Sequence, residues 1–282
     1  MKIIDGKAIS AEIRAELRER SEKLKAEKGI TPGLAVIIVG DDPASQIYVR
    51  NKARACEELG FYSEVIRLPA ETTEDEIGDV IDKLNADEKI HGILVQLPLP
   101  GHKDEKSLLL RISPEKDVDA FHPYNVGRIS TGDYGFLPCT HAGVMELITR
   151  SGIEVSGKDC VVIGRSNIVG KPMGMLLINA SGTVTVCHSR TKNLKEVCAR
   201  ADILVSAVGR ADFVTADMVK ESAVVIDVGM NRNADGKLCG DVAYDEVAPK
   251  TSYITPVPGG VGPMTITMLM RNTLYAAEQA SK

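Results

Sequence analysis

The chain has 282 residues, of which 44% are hydrophobic and 26% are charged. Both fractions are typical of globular proteins and exclude disordered, collagen-like and coiled-coil chains, and the length favours two domains. The net charge of −5 offers no basic field to a polyphosphate backbone, so we expect no nucleic acid partner.

The cysteines and apolar runs indicate the compartment. Six cysteines are scattered along the chain and never occur in C-x-x-C spacing, which predicts reduced thiols and no metal site. The longest apolar runs are far shorter than the roughly 18 residues that suggest a membrane span, and Met1 opens without a signal peptide. We therefore expect a soluble, cytoplasmic protein that does not contact membranes.

The first half alternates helices and strands. Apolar residues at helical spacing predict a helix over 7–28, and a continuous apolar run at 34–39 predicts a strand that is buried on both faces. The alternation continues with helices at 45–59 and 74–86 and strands at 63–68 and 91–97. Such alternation indicates βαβ units around a parallel sheet.

The alternation stops after Pro98-Leu-Pro100 and resumes in the second half. A turn-rich stretch from 121 to 140 precedes a predicted helix over 142–151. The later predicted elements are strands at 160–163, 183–187, 203–207 and 224–228, and helices at 171–180, 193–201 and 264–280. We therefore expect an α/β protein with an N-terminal βαβ domain and a C-terminal Rossmann-type parallel-sheet domain that flank a cleft.

A glycine-rich turn marks the second half as a dinucleotide-binding candidate. The strand at 160–163 runs into Gly164-Arg-Ser-Asn-Ile-Val-Gly170, and a helix follows. Backbone N–H groups and the helix dipole at such a turn can hold a pyrophosphate. The spacing differs from the common G-x-G-x-x-G, so an ordinary βα turn remains the alternative. The candidates in this turn are Gly164, Arg165, Ser166 and Gly170.

The next βα turn favours NADP over NAD. An NAD site usually carries an acidic residue there, whereas this chain reads His188-Ser-Arg-Thr191. Arg165, Ser189 and Arg190 can hold a ribose phosphate by charge-assisted hydrogen bonds, although solvated surface arginines are the alternative. Residues after two later strands are expected beside the nicotinamide: Gly209, Gly229 and Met230.

The first half carries the candidate catalytic groups. Tyr48 and Lys52 are four residues apart on a predicted helix, so their side chains share a face with Ser45. A Tyr-x-x-x-Lys pair is typical of short-chain dehydrogenases, but there the pair follows the glycine loop, whereas here it precedes Gly164. Gln96 lies at the end of a strand, where its amide can bond Lys52 or a ligand, or can cap the strand.

Two acids follow at the expected domain boundary. Asp117 and Asp119 are two residues apart, so in an extended segment they face the same side. Paired loop acids of this kind also occur simply as solvated or turn-forming residues.

Six ordered segments together carry a resemblance over almost the whole chain. The sequence resembles the bifunctional methylenetetrahydrofolate dehydrogenase/methenyltetrahydrofolate cyclohydrolase family. Ala120 departs from the glycine that the family usually has there, and we expect a slight local shift of the backbone. The segments are Ser45-x-x-Tyr48-x-x-x-Lys52, Val95-Gln-Leu-Pro-Leu-Pro100, Pro114-Glu-Lys-Asp-Val-Asp119, Pro138-Cys-Thr140, Gly164-Arg-Ser-Asn-Ile-Val-Gly-Lys-Pro172 and Pro258-Gly-Gly-Val-Gly-Pro-Met-Thr265.

The resemblance implies a function and a domain division. It implies NADP-dependent oxidation of 5,10-methylenetetrahydrofolate to the 5,10-methenyl form, then hydrolysis to 10-formyltetrahydrofolate, in a homodimer within one-carbon metabolism. The alternatives are a monofunctional NAD(P)-dependent dehydrogenase and a non-catalytic dinucleotide-binding protein. We expect residues 1–120 plus 265–282 to form the folate-binding catalytic domain and residues 121–264 to form the NADP-binding domain.

The resemblance also implies roles for individual residues. Lys52 serves the hydrolytic step, Gln96 orients it, and Tyr48 stacks on the pterin. Asp119 accepts hydrogen bonds from the amino group and ring N–H of the pterin, with Asp117 as the second choice. The expected folate-binding set is Ser45, Tyr48, Gln96, Asp119, Pro258, Gly259, Gly260 and Thr265.

Overall fold

The computed structural model describes residues 1–101, 103–233 and 235–281. The chain forms two compact α/β units, which confirms the predicted fold class. We call one the N-terminal unit, built from Glu12–Cys139 and Ile266–Lys282, and the other the Rossmann unit, built from Met1–Ala11 and Thr140–Thr265.

The strands and helices are numbered in chain order. The strands are β1 Lys2–Ile3, β2 Gly33–Val39, β3 Tyr62–Leu68, β4 Gly92–Val95, β5 Asp159–Ile163, β6 Thr183–Cys187, β7 Ile203–Ser206, β8 Val224–Asp227, β9 Asn231–Arg232, β10 Leu238–Cys239 and β11 Tyr253–Ile254. The helices are α1 Gly6–Lys28, α2 Pro43–Glu58, α3 Glu74–Ala86, α4 Glu105–Leu110, α5 Pro123–Thr131, α6 Cys139–Arg150, α7 Gly170–Asn179, α8 Leu194–Cys198, α9 Tyr244–Val247 and α10 Val261–Ala280.

The N-terminal unit is built on a parallel sheet in the order β3-β2-β4. Every residue of the central strand β2 is buried, as the continuous apolar run predicted for a strand covered on both faces. Apolar side chains of β2 and β4 pack against Ile77 and Ile81 of α3. A capping box between Thr73 and Glu76 fixes the start of α3, because it satisfies two otherwise unpaired N–H groups.

The Rossmann unit is built on a parallel sheet in the order β1-β11-β8-β7-β5-β6. Strand β1 pairs with β11 through Lys2 and Ile3, and for this reason residues 1–11 group with this unit. Residues 1–11 and 121–139 thus lie in different units from those that the sequence predicts. A two-residue strand shows no periodicity, so nothing in the sequence marks its partner.

Several short elements are absent from the sequence prediction. Helix α5 lies inside the stretch that we expected to be turn-rich. The His122 ring accepts a hydrogen bond from the N–H of Tyr124 at its start, and Gly132 ends it with a left-handed backbone (φ 75°). Strands β9 and β10 form an antiparallel pair. Helices and strands this short present too few residues for a hydrophobic period.

The structure also shows the state of the cysteines and the character of the helices. All six cysteines are free thiols, and five of them are buried. Over the described ranges, no helix has the combination of length and apolar character that crossing a membrane requires.

The end of α7 generates a stability prediction. Ser181 is exposed and has φ 65°, a left-handed conformation that costs non-glycine residues about 1 kcal/mol. We expect Ser181→Gly to raise the free energy of unfolding by up to about 1 kcal/mol, measured by urea denaturation. Ser130→Gly, an exposed change within α5, should lower it, and a destabilised Ser181→Gly variant would contradict the strain at this position.

Candidate functional site

Helix α2 carries the first three candidate residues of the N-terminal unit. Its start is fixed by the Asp42 carboxylate, which accepts a hydrogen bond from the N–H of Ser45 at 2.7 Å, and Pro43 supplies a preorganised first position. Ser45 is buried, Lys52 is half-buried, and the Tyr48 side chain is 41% exposed. The predicted helix therefore brings these residues onto one face.

Gln96 lies directly after β4 at the carboxyl edge of the sheet. Its N–H donates to the carbonyl of Ile37 at 2.8 Å, which extends the pairing of β4 with β2 by one residue. Helix α2 starts from the same edge, since it follows β2 after a short turn. The Gln96 side chain and the helix face with Lys52 consequently approach each other, as ligand-binding groups do at the carboxyl edge of parallel sheets.

The segment with the two acids runs along the other side of β4. Asp117 pairs in parallel with Ile93, and the N–H of Ile93 donates to the carbonyl of Lys116 at 2.8 Å. The chain then turns, because the N–H of Ala120 donates to the carbonyl of Asp117 at 3.0 Å. Asp119 lies in this turn, close enough to Lys52 for the two charges to interact.

The side chains of Lys52 and Gln96 meet directly. The Lys52 ammonium Nζ donates to Gln96 Oε1 at 2.7 Å, and Gln96 Nε2 donates to the carbonyl of Leu97 at 2.8 Å. The second bond fixes the orientation of the amide, so its oxygen faces the lysine. Burial lowers the pKa of Lys52, and the negative charge of Asp119 opposes this shift. The amine is therefore easier to deprotonate than a surface lysine.

Asp119 shows the complementary shift. Burial raises the pKa of its carboxyl group, and the positive charge of Lys52 counteracts the rise. The Cys139 thiol donates to the carbonyl of Val118 at 3.4 Å, and burial and the charge of Asp119 hold the pKa of Cys139 well above its usual value. Cys139 is therefore a neutral thiol here, and not a nucleophilic thiolate.

Two neighbours of Asp119, Ala120 and Asp117, are held by the loop itself. Ala120 is fully buried with φ 58°, so an alanine occupies a left-handed conformation that glycine adopts more easily. Asp117 is engaged by its own loop, because its carboxylate accepts bonds from the N–H groups of Phe121 and His122 and from the Asn125 amide. Asp117 shapes the loop, which leaves Asp119 as the carboxylate at the edge.

Asn272 is a site residue that the sequence analysis missed. It is buried on α10, and its amide Nδ2 donates to the carbonyls of Val118 and Leu137, both at 2.8 Å. Val118 directly precedes Asp119 in the chain, and Leu137 lies two residues before Cys139. Asn272 thus holds together the two loops that carry them. A polar residue among the apolar positions of α10 is the signal that was available.

The glycine turn of the Rossmann unit has little room for side chains. Gly164 has φ 127°, and a Cβ there would lie 2.6 Å from the carbonyl oxygen of Ala207. A Cβ on Gly170 would lie 2.0 Å from the carbonyl oxygen of Gly164. Only glycines allow this close approach of backbone to backbone. The turn therefore leads tightly from β5 into the amino end of α7, the geometry that suits a pyrophosphate.

The polar candidates of the two βα turns are accessible to a ligand. Arg165, Ser166, Ser189 and Arg190 are exposed. The Ser166 hydroxyl accepts a bond from the N–H of Val169 at 3.0 Å, which closes the loop before α7. The Arg165 turn follows β5 and the Arg190 turn follows β6, and these strands are paired neighbours. A phosphate-bearing ribose fits these exposed cationic and hydroxyl groups.

Two loops at the next strands complete the cofactor candidates. Gly209 follows β7, and Gly229 and Met230 follow β8, which pairs with β7. Gly209 and Met230 are exposed, whereas Gly229 is buried. Two buried carboxylates behind these loops, Asp227 and Asp241, were not identified from the sequence. Asp227 stands at the end of a strand, and this position was the available signal.

The Pro258–Thr265 candidates also lie in the Rossmann unit. Gly259 has φ 111°, and a Cβ on Gly260 would lie 2.6 Å from the carbonyl oxygen of Pro256. The hydroxyls of Thr140 and Thr265 are 3.3 Å apart. This close packing of backbone forms a tight turn directly before α10.

Comparisons with known proteins agree over the full chain. Residues 4–119 match the model of the tetrahydrofolate dehydrogenase/cyclohydrolase catalytic domain, and residues 138–281 match the model of the NAD(P)-binding domain of the same family. The chain is 62% identical over 275 residues to the bifunctional protein FolD of Streptococcus pneumoniae, a match that covers 98% of this chain and 96% of that protein.

Solved structures show the same similarity. The bifunctional FolD enzyme of Campylobacter jejuni superposes with a TM-score of 0.97 at 52% identity, over 99% of both chains. A methylenetetrahydrofolate dehydrogenase-cyclohydrolase of Trypanosoma brucei, complexed with NADP and an inhibitor, superposes with a TM-score of 0.93 at 42% identity, over 98% of this chain and 97% of that one.

The charge pair at the sheet edge generates a testable prediction. The negative charge of Asp119 raises the pKa of Lys52 against the effect of burial, so we expect Asp119→Asn to lower the pKa of Lys52 further. An NMR pH titration of lysine labelled at Cε measures this shift. Glu57→Gln, an exposed change on the same helix, should leave it unchanged. A Lys52 pKa that stayed the same or rose in Asp119→Asn would show that the two charges do not interact.

Proposed function

Because the chain belongs to the tetrahydrofolate dehydrogenase/cyclohydrolase family, we infer that it catalyses both reactions of that family. It oxidises 5,10-methylenetetrahydrofolate to 5,10-methenyltetrahydrofolate with NADP and hydrolyses the product to 10-formyltetrahydrofolate. The observation that carries this assignment is the half-buried Lys52 amine, held at 2.7 Å by Gln96 and facing the charge of Asp119. A protein that only bound a dinucleotide would have no use for such a group.

The Rossmann unit fits NADP. The close backbone approach at Gly164 and Gly170 allows a tight turn into the amino end of α7, where backbone N–H groups can bind a pyrophosphate. Arg165, Ser189 and Arg190 supply donors for the ribose phosphate. When bound, NADP supplies the acceptor for a hydride. We propose that Ser166 also binds the phosphates and that Gly209, Gly229 and Met230 line the nicotinamide half.

The first reaction leaves a positive charge on the folate. A hydride departs from the one-carbon bridge, and the methenyl cation that remains would be repelled by a fully charged ammonium nearby. Burial lowers the pKa of Lys52, which reduces this repulsion. We therefore assign Lys52 a place beside the bridge carbon, where its bond to Gln96 sets the direction of the amine.

The second reaction needs a group that can take up and return a proton. Water attacks the methenyl carbon, one C–N bond of the ring breaks, and the opened nitrogen gains a proton. A lysine with a lowered pKa can accept the proton of the attacking water in its neutral form and can deliver a proton to the leaving nitrogen. We assign this relay to Lys52, with Gln96 as the residue that orients it.

The remaining side chains of the N-terminal unit serve folate recognition. The pterin carries an amino group beside a ring N–H, and a single carboxylate matches this pair of donors. We assign that contact to Asp119, since Asp117 is engaged by its own loop. Tyr48 is exposed on the same helix face as Lys52 and offers its ring for stacking. We add Ser45, Pro258, Gly259, Gly260 and Thr265 to the folate-binding set on the strength of the family motifs.

The finer features of the assignment are proposals as well. We propose that the N-terminal unit carries the catalytic groups for folate and that the Rossmann unit binds NADP. Resemblance to the family supports a cytoplasmic homodimer that feeds one-carbon units into purine, methionine and histidine biosynthesis.

Replacing the amine tests the assigned chemistry. We expect Lys52→Met to lose hydrolysis of methenyltetrahydrofolate by at least about a hundredfold, because general acid–base catalysis typically contributes at least that factor, while the affinity for NADP changes little. The absorbance of the methenyl group and of reduced cofactor measures both reactions in the wild-type protein and the variant.

Lys25→Met, an exposed change on α1, is the matched control and should retain both activities. Hydrolysis at the wild-type rate in Lys52→Met would refute the role of the amine. A wild-type protein that made no reduced cofactor from methylenetetrahydrofolate would refute the function itself.

Cofactor choice is tested at Arg165. We expect Arg165→Ala to raise the KM for NADP about tenfold or more, because a hydrogen bond to a charged group contributes about 1.5–3 kcal/mol, and to change the KM for NAD much less. Initial rates of the dehydrogenase at varied NADP and NAD measure the two values. Arg200→Ala, an exposed change in the same unit, should alter neither, and equal losses with both cofactors would place the phosphate elsewhere.

A further inference from the structure

A buried carboxylate, Asp241, lies at the carboxyl edge of the Rossmann sheet and has no role in the two proposed reactions. Asp241 is fully buried and lies after β10, far along the chain from the strand ends that it reaches. Its oxygen Oδ2 accepts bonds from the Ser206 hydroxyl at 3.1 Å and from the N–H of Val208 at 2.7 Å. Asp241 therefore holds the end of β7 and the loop that follows it.

The second oxygen of the same carboxylate holds two further groups. Asp241 Oδ1 accepts bonds from the N–H of Arg210 at 3.0 Å and from the Asn231 amide at 2.9 Å. The donors Val208 and Arg210 flank Gly209, while Asn231 directly follows Met230. The Asp241 side chain thus fixes the loop that carries Gly209 and the loop that carries Met230. Such bonds matter here, because exposed loop residues have little packing to hold them.

A second buried carboxylate fixes Asp241 in turn. Asp227, at the end of β8, accepts bonds from the N–H groups of Gly229, Asp241 and Val242, each at 2.9 Å. Asp227 therefore links the end of β8 to the segment that carries Asp241. Buried carboxylates with this many donors form rigid networks, because each unmade bond inside the protein costs the desolvation of its donor.

Two glycines show how closely the chain encloses the network. A Cβ on Gly229 would lie 2.2 Å from Asp241 Oδ1, and a Cβ on Gly240 would lie 1.8 Å from Asp227 Oδ2. Neither position accommodates a larger residue while the carboxylates stay in place. The glycine in the cofactor loop after β8 is thus explained by the buried carboxylate behind it.

We propose that Asp241 is a positioning residue for the NADP site, which holds the loops of Gly209 and of Gly229 and Met230 in the arrangement that binds the nicotinamide half. The proposal rests on the assignment of these loops to the cofactor. Asp241 itself does not touch the cofactor, because its two oxygens are occupied by four donors of its own chain. It acts through the backbone N–H groups of Val208 and Arg210.

The test is the full-length Asp241→Asn variant. An amide nitrogen is a donor and cannot accept a hydrogen bond. In the variant this nitrogen faces either the donors of Ser206 and Val208 or those of Arg210 and Asn231, so one pair loses its acceptor. We expect the KM for NADP in the dehydrogenase reaction to rise about tenfold, with a smaller change in kcat. Hydrolysis of added methenyltetrahydrofolate, which consumes no NADP, should stay within about twofold of the wild type.

The matched control is Asp212→Asn, an exposed aspartate in the chain beyond the same loop. Its φ of 52° is one that asparagine also adopts readily, so its kinetic constants should equal those of the wild type. An unchanged KM for NADP in Asp241→Asn would overturn the proposal. Equal losses of oxidation and hydrolysis would do so as well, because they would show general support of the fold.

A second variant keeps the test decisive if Asp241→Asn does not fold. Asn231→Ala removes one of the four donors from a half-buried position, and we expect a rise in the KM for NADP of severalfold with hydrolysis unaffected. If Arg165→Ala raises this KM and neither loop variant does, the positioning role fails while the enzyme assignment stands. A wild-type protein without dehydrogenase activity would instead refute the proposed function.

Discussion

The hydrogen bond between Lys52 and Gln96 is the interaction on which the proposed chemistry of this chain depends. A lysine side chain normally extends into water, where its charge is stable and its pKa is high. Here the strand end that carries Gln96 and the helix that carries Lys52 meet at one sheet edge, and the amine is half-buried. Burial opposes the charge, while Gln96 and Asp119 retain the group in place. The neutral form of the amine is therefore more accessible than it is in a surface lysine.

Both units use the carboxyl edge of a parallel sheet in the same way. In one, Lys52, Gln96 and Asp119 come from a helix, a strand end and a paired segment. In the other, the turns after β5, β6, β7 and β8 lie side by side because their strands are neighbours. Exposed loops have little packing of their own and need hydrogen bonds to hold their backbone in place. Asn272 in one unit and Asp241 in the other form such bonds to main-chain groups.

The sequence predicted those elements of the fold in which apolar residues recur at a regular spacing or a turn signal is present. The helix of Tyr48 and Lys52, the buried strand at 34–39 and the glycine turn after β5 are all formed, because each extends over enough residues for a pattern of apolar positions or a turn signal. The pairing of β1 with β11 and the fixing roles of Asn272 and Asp241 were not predictable in this way. They join residues that are far apart in the chain, and single polar residues do not indicate their partners.

In the proposed mechanism the two consecutive reactions place opposing demands on the Lys52 amine, and its surroundings can meet both. During oxidation the group must not carry a full charge against the developing cation, whereas during hydrolysis it must take up a proton and give one away. Burial lowers the pKa of Lys52 and raises that of Asp119, and each charge limits the shift of the other. Each charge therefore stabilises the other, and both pKa values shift less than burial alone would shift them. A fully exposed lysine would remain charged in both steps, and an apolar residue would relay nothing. One half-buried amine beside a half-buried acid can therefore serve the oxidation and the hydrolysis at the same carbon.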